Sequence, residues 1–168
     1  MDPGVNAFKF QYAFASEEYN EWVGSEFNDA FAFVLTDLNT GGQVNLAKIG
    51  ADPVSVNSIN LGSNAAYYAN NAFVSAGGGS QFLLEYDGIA GGEGKLPLFA
   101  LGAVNPLHVY QIDLVIADVG DNRLDSAVFL AANSFVPTVI PPTVPEPSTY
   151  VGALALAGLV ARRLRRKA

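Results

Sequence analysis

The chain has no cysteine, which excludes disulfide bonds and thiolate metal sites and leaves the redox compartment undecided, since a cysteine-free protein folds in either. Histidine occurs once, as His108, next to a strand opening after Asn105-Pro106. A single histidine among apolar neighbours is more often structural than catalytic. There is no Gly-x-Ser-x-Gly elbow and no phosphate-cradling glycine motif, so nucleophilic and nucleotide chemistry have no candidate. Helical stripes are missing too: before the last twenty residues, no segment of about a dozen residues repeats its apolar positions at helical spacing. Cations are scarce. Before Tyr150 there are four, Lys9, Lys48, Lys95 and Arg123, against all sixteen acids, a net charge of −12. Nucleic acid is repelled by such a body.

What is present favours strands. Half of the 168 residues are hydrophobic, enough for one domain with a real core, and the 17 glycines and many asparagines suit short strands and turns. Phe8, Phe10, Tyr12 and Phe14 alternate with Lys9, Gln11 and Ala13. Strands are expected at Phe8–Ala15, Asp29–Thr36, Val54–Ile59, Phe82–Tyr86, Pro97–Ala103, His108–Ala117 and Ser126–Ala132. Gly41-Gly42, Gly77-Gly78-Gly79 and Gly91-Gly92 separate these runs, and Ser16-Glu17-Glu18-Tyr19 resembles a helix start within the stretch Ser16–Phe27. No internal repeat is evident. The predicted class is all-β: a β-sandwich, jelly-roll-like, over 1–136, a Pro-rich linker over 137–149, and a single hydrophobic helix with a basic tail over 150–168.

The C-terminus carries its own signal. Pro137–Pro147 holds five prolines and reads as an extended linker. Tyr150–Ala161 then lacks any charge, and the last seven residues contain Arg162, Arg163, Arg165, Arg166 and Lys167. At roughly 18 Å this run is short of a ~30 Å hydrocarbon core, so length alone leaves a buried helix as a rival. The arginines favour a membrane segment, since a core helix does not normally end in a cluster of cations and a cytoplasmic stop does.

These residues resemble the PEP-CTERM sorting domain, with its Pro-Glu-Pro motif, short apolar helix and arginine-rich end. Val144, Pro145, Glu146 and Pro147 match the motif; Val151, Leu154, Leu156 and Leu159 match the helix; Arg162, Arg163, Arg165 and Arg166 match the stop. The resemblance implies an exosortase as partner, a transient stay in the inner membrane, cleavage near the motif, and release to the cell surface or extracellular matrix of a Gram-negative bacterium. Such a protein needs a signal peptide, and Met1-Asp-Pro-Gly-Val-Asn-Ala-Phe8 has neither a cationic start nor an apolar region, so an N-terminally truncated chain is expected.

Two constellations in the body carry chemistry. Phe14–Phe33 crowds acids and aromatics between two strands, and Ile116–Leu130 places an Asp-rich loop before an apolar one. Together Ser16-Glu-Glu-Tyr19, Phe27-Asn-Asp-Ala-Phe-Ala-Phe33 and Asp125-Ser-Ala-Val-Phe-Leu130 resemble the choice-of-anchor L domain, a family of extracellular bacterial modules, whose usual N-terminal portion has no counterpart here. The biochemistry must come from the residues. Asp118, Asp121 and Asp125 share one loop, and clustered carboxylates repel unless a cation or hydrogen bonds compensate; hard oxygen ligands suit Ca²⁺. Glu18, Asn28 and Asp29 complete such a site if the two loops meet at one end of the sandwich. The rival reading is a solvated acidic turn, with Asn28 and Asp29 capping the next strand. Tyr19 and Trp22, with Phe27 beside them, offer a sugar-stacking platform, or else are buried aromatics. The reading chosen is a non-enzymatic envelope or exopolysaccharide-matrix module, with or without a stabilising Ca²⁺. A lectin is the alternative, and a glycoside hydrolase using a pair such as Glu18 and Asp118 comes last.

Overall fold

The computed structural model describes residues 4–120 and 123–140. Among these the fold is all-β in two antiparallel sheets, and the one helical element is a 3-10 turn at Val74–Ala76. The strands are β1 Ala7–Ser16, β2 Ala30–Asp37, β3 Gln43–Asn45, β4 Lys48–Ile49, β5 Asp52–Ser55, β6 Tyr68–Asn70, β7 Gly88–Ala90, β8 Leu98–Ala103, β9 Tyr110–Ala117, β10 Ser126–Leu130 and β11 Val136–Thr138.

Strand β1 is the axis of the first sheet. β10 and β11 line one of its flanks, β8 and β7 the other, and β6 pairs beyond β7. β2 is the axis of the second, with β9 along its whole length on one flank, β3 and β5 on the other, and β4 beyond β5. The period-2 pattern explains which faces meet. Phe8, Phe10, Tyr12 and Phe14 of β1 and Phe31, Phe33 and Leu35 of β2 are all buried, and the rings of Phe8, Phe10 and Tyr12 meet those of Phe31 and Phe33 across the interface. Phe10 and Phe33 have centroids 4.4 Å apart, and Tyr12 and Phe31 5.3 Å. Contacts of this tilted kind add to simple area burial. Val54, Val56 and Ile59 close the core from the β5 side.

Several expectations are corrected. The run expected as a strand at Phe82–Tyr86 is not one: Phe82 is 76% exposed, and Ser80 folds over it, its hydroxyl accepting from the Phe82 N–H at 3.1 Å and donating to the Phe82 carbonyl at 2.6 Å. A side chain bonded this way competes with a strand ladder for the same backbone groups. The stretch expected at Val54–Ile59 leaves the sheet after Ser55, because Ser58 and Ile59 donate back to the Ser55 carbonyl and turn the chain. The Ser16–Phe27 stretch forms turns and no helix. Pairing also runs past the expected linker boundary: Pro137 and Thr138 lie in β11, and Asn6 clasps Ile140 through its side chain at 2.8 and 2.7 Å. Among the described residues no helix is long and apolar enough to cross a membrane; the helix expected over 150–168 lies outside them.

Candidate functional site

Four chain segments converge at one end of the sandwich: the end of β1, the start of β2, the end of β9 and the start of β10. β1 finishes at the buried Ser16, whose hydroxyl accepts the Glu18 N–H at 3.0 Å and holds the turn inward. Glu18 is thereby 1% exposed, and its Oε2 accepts the Asp29 N–H at 3.2 Å. Asp29, 0% exposed, precedes β2. Its Oδ1 accepts from the Val119 N–H at 3.3 Å, and its Oδ2 from the Ser126 hydroxyl at 2.6 Å. The loops are further stitched by Glu17 and Asp125, which exchange backbone and carboxylate bonds: the Glu17 N–H donates to the Asp125 carbonyl, and the Asp125 N–H to Glu17 Oε2 at 2.8 Å.

The result is a triad. Carboxylate oxygens of Glu18, Asp29 and Asp118 all lie within 4.8 Å of one another, the first two buried and the third exposed. Two segments nearly ninety residues apart in sequence have therefore met at one end of the sandwich. Other members of the expected set fall elsewhere. Asn28 turns its Oδ1 to the Asn57 N–H at 2.9 Å, toward β5 and away from the triad. Asp125 is engaged through its backbone with Glu17, outside the triad, and Asp121 lies outside the described residues.

Gly120 allows the loop to close. Its φ is +107°, a region L side chains rarely adopt, and a Cβ there would meet Phe27 Cδ1 at 2.7 Å and the Glu26 carbonyl oxygen at 3.1 Å.

A cavity of about 350 Å³ opens beside the triad, lined by Glu18, Trp22, Phe27, Arg123 and Leu124. Trp22 is 41% exposed and meets Phe27 edge-on, with centroids 5.1 Å apart at 83°. Tyr19 is corrected as a stacking residue: it is 0% exposed, packed on Tyr68 at 4.7 Å, so it has no face to offer an external ligand. Burial, and secondarily Tyr68, push its phenol far above the ordinary tyrosine range. Arg123 and Ser126 were not singled out from sequence. The signal for Arg123 was available, since it is one of only four cations before Tyr150 and stands inside the Asp-rich loop. Nothing in the residue pattern marks Ser126 as a partner of Asp29.

His108 lies elsewhere, at the other end of β2, tied to Asp37 Oδ2 through Nδ1 at 2.8 Å and next to Asn105 through Nε2 at 3.0 Å. This joins the β2–β3 turn to the loop before β9.

Fold and site together define an all-β module with an acidic, loop-built cluster at one end of its two sheets. The chain belongs to the choice-of-anchor L domain family, whose family model matches residues 1–136, and residues 143–167 match the PEP-CTERM protein-sorting motif. Both resemblances seen in the residues are borne out. The sorting motif implies recognition by an exosortase as a substrate, and the two matches indicate an exported, surface-associated protein. No curated protein and no solved structure matches the chain. Val144–Pro147 and the apolar and arginine residues after them lie outside the described residues.

Proposed function

We propose that this is a non-enzymatic, calcium-stabilised module of the cell surface or exopolysaccharide matrix, which reaches that place through an inner-membrane intermediate cut near Pro145-Glu146-Pro147. The observation that carries the calcium reading is the triad of Glu18, Asp29 and Asp118, with oxygens within 4.8 Å and two members fully enclosed. Burying carboxylates side by side costs several kcal/mol unless positive charge or hydrogen bonds compensate. Ca²⁺ takes six to eight oxygens at about 2.3–2.6 Å, so three carboxylates would supply part of its shell, and carbonyls or water the rest.

The test is a melting curve of the protein with Ca²⁺ and with a chelator. At a concentration about 100 times Kd, binding to the folded state alone adds roughly 2.7 kcal/mol, which raises the midpoint by several degrees. Asp29→Asn should abolish that response. An unchanged midpoint in the parent protein retires the calcium reading.

A second reading, glycan binding, is favoured by one observation: Trp22, 41% exposed, lines a cavity that also holds charged groups.

A further inference from the structure

We propose that the cavity beside the triad is a binding site for a neutral hexose unit of a polysaccharide, with Trp22 as its stacking surface and Glu18 and Arg123 as its hydroxyl-binding pair. This deepens the glycan reading above and does not depend on a cation. The volume of about 350 Å³ falls at the lower end of small-ligand sites. Its walls divide by chemistry. Trp22, Phe27 and Leu124 form an apolar side, while Glu18 offers only acceptor oxygens and Arg123 only donors.

A ligand that suits such a site needs one apolar face together with groups that both donate and accept. A pyranose has this combination: the C–H groups on one face rest on an aromatic ring, and its hydroxyls donate to a carboxylate and accept from a guanidinium. A wholly apolar ligand would strip water from Arg123 and return no hydrogen bonds. A polyanionic ligand meets the opposite difficulty, because the chain before Tyr150 carries a net charge of −12 and repels it at range. Neutral sugars escape both penalties.

Trp22 is the only tryptophan in the sequence, so tryptophan emission, excited selectively over the seven tyrosines, reports on this cavity alone. The full chain, held in a detergent without sugar headgroups, is titrated with neutral oligosaccharides: α- and β-linked glucans, mannans and galactans. Polygalacturonate serves as the charged comparator. The expected result is a saturable change in Trp22 emission with at least one neutral oligosaccharide. By calorimetry, affinity should fall about tenfold in Trp22→Ala and Arg123→Gln, and less in Trp22→Phe, which keeps a ring. Circular dichroism checks that each variant is folded.

Three results each overturn the proposal: no neutral oligosaccharide alters the emission, affinity is the same in Trp22→Ala and Arg123→Gln as in the parent, or polygalacturonate alone binds. The calcium reading fails separately. Sugar binding without a calcium-dependent midpoint sinks the cation site and leaves this one standing, and a calcium-dependent midpoint without sugar binding does the reverse.

Discussion

Asp29 is fully buried, and its carboxylate oxygens accept from Val119 after β9 and from Ser126 at the start of β10, so it acts as the rivet between two distant stretches of chain. Elsewhere, carboxylates respond to their surroundings in opposite directions. At Asp37, burial alone would raise the carboxyl, but hydrogen bonds from the His108 ring, the Asn39 N–H and the Thr40 side chain outweigh it and hold the group below its ordinary range. A folded-state value below the unfolded one means stabilisation present above the ordinary carboxylate range and lost as acid carries the pH down through the folded value. Carbon NMR of the Asp37 carboxyl should show a midpoint below the reference of about 3.9 in the parent protein, moving up in His108→Ala. An unmoved midpoint would mean that the pair is incidental.

Asp87 behaves the other way. Burial first, then Glu21 and Glu17, push its carboxyl up, so its charged form is disfavoured in the fold. Because the folded value exceeds the unfolded one, the penalty is present at neutral pH and fades as the pH falls through the folded value and then the unfolded one. Asp87→Asn should therefore raise the melting midpoint at pH 7 by a few degrees and lose that advantage near pH 3. A midpoint lowered at pH 7 would contradict this. The acidic triad was half visible at this scale. Residue type and spacing pointed to Glu18, Asp29 and Asp118, whereas only the path of the backbone could send Asn28 toward Asn57.

At the scale of the element, alternation made β1 and β2 legible, because a strand with one face in the core must repeat every second residue. β8 and β10 were found within a residue or two. The pieces that escaped, β3, β4, β6, β7 and β11, are two or three residues long, too short for a period to register. They exist because a neighbour supplies the ladder. The opposite error, Phe82–Tyr86, shows that apolar, β-favouring residues stay out of a sheet where a local side chain takes up the backbone groups. Turns are decided by single residues, and Gly120 is the plainest case. Gly120→Ala places a Cβ against Phe27 in a backbone region that costs about 1–3 kcal/mol for an ordinary residue. The melting midpoint should drop by several degrees and the response to Ca²⁺ should weaken with it, since Asp118 sits two residues before. A variant with both properties intact would show that the loop has another way to close.

The whole molecule is a division of charge. An acidic body is followed by prolines, an apolar run and five cations, and the sorting motif matched at residues 143–167 spans that change of sign. Cations that stop a membrane segment hold it in register for whatever acts on it. Replacing Arg162, Arg163, Arg165 and Arg166 with Gln should let the full-length form accumulate and cut the processed form severalfold, seen by immunoblot of membrane and extracellular fractions. Equal processing in both would remove the arginines from the sorting signal. This feature was readable without coordinates, because it is a property of composition along the chain and needs no packing.

The pairing of β1 has a consequence for the timing of folding. Its partners β7, β8, β10 and β11 begin at Gly88 and end at Thr138, and the Asn6 clasp reaches Ile140, 134 residues away. The central strand therefore has no sheet partner until the chain has been made through Gly88. Sheets closed by such remote contacts form slowly.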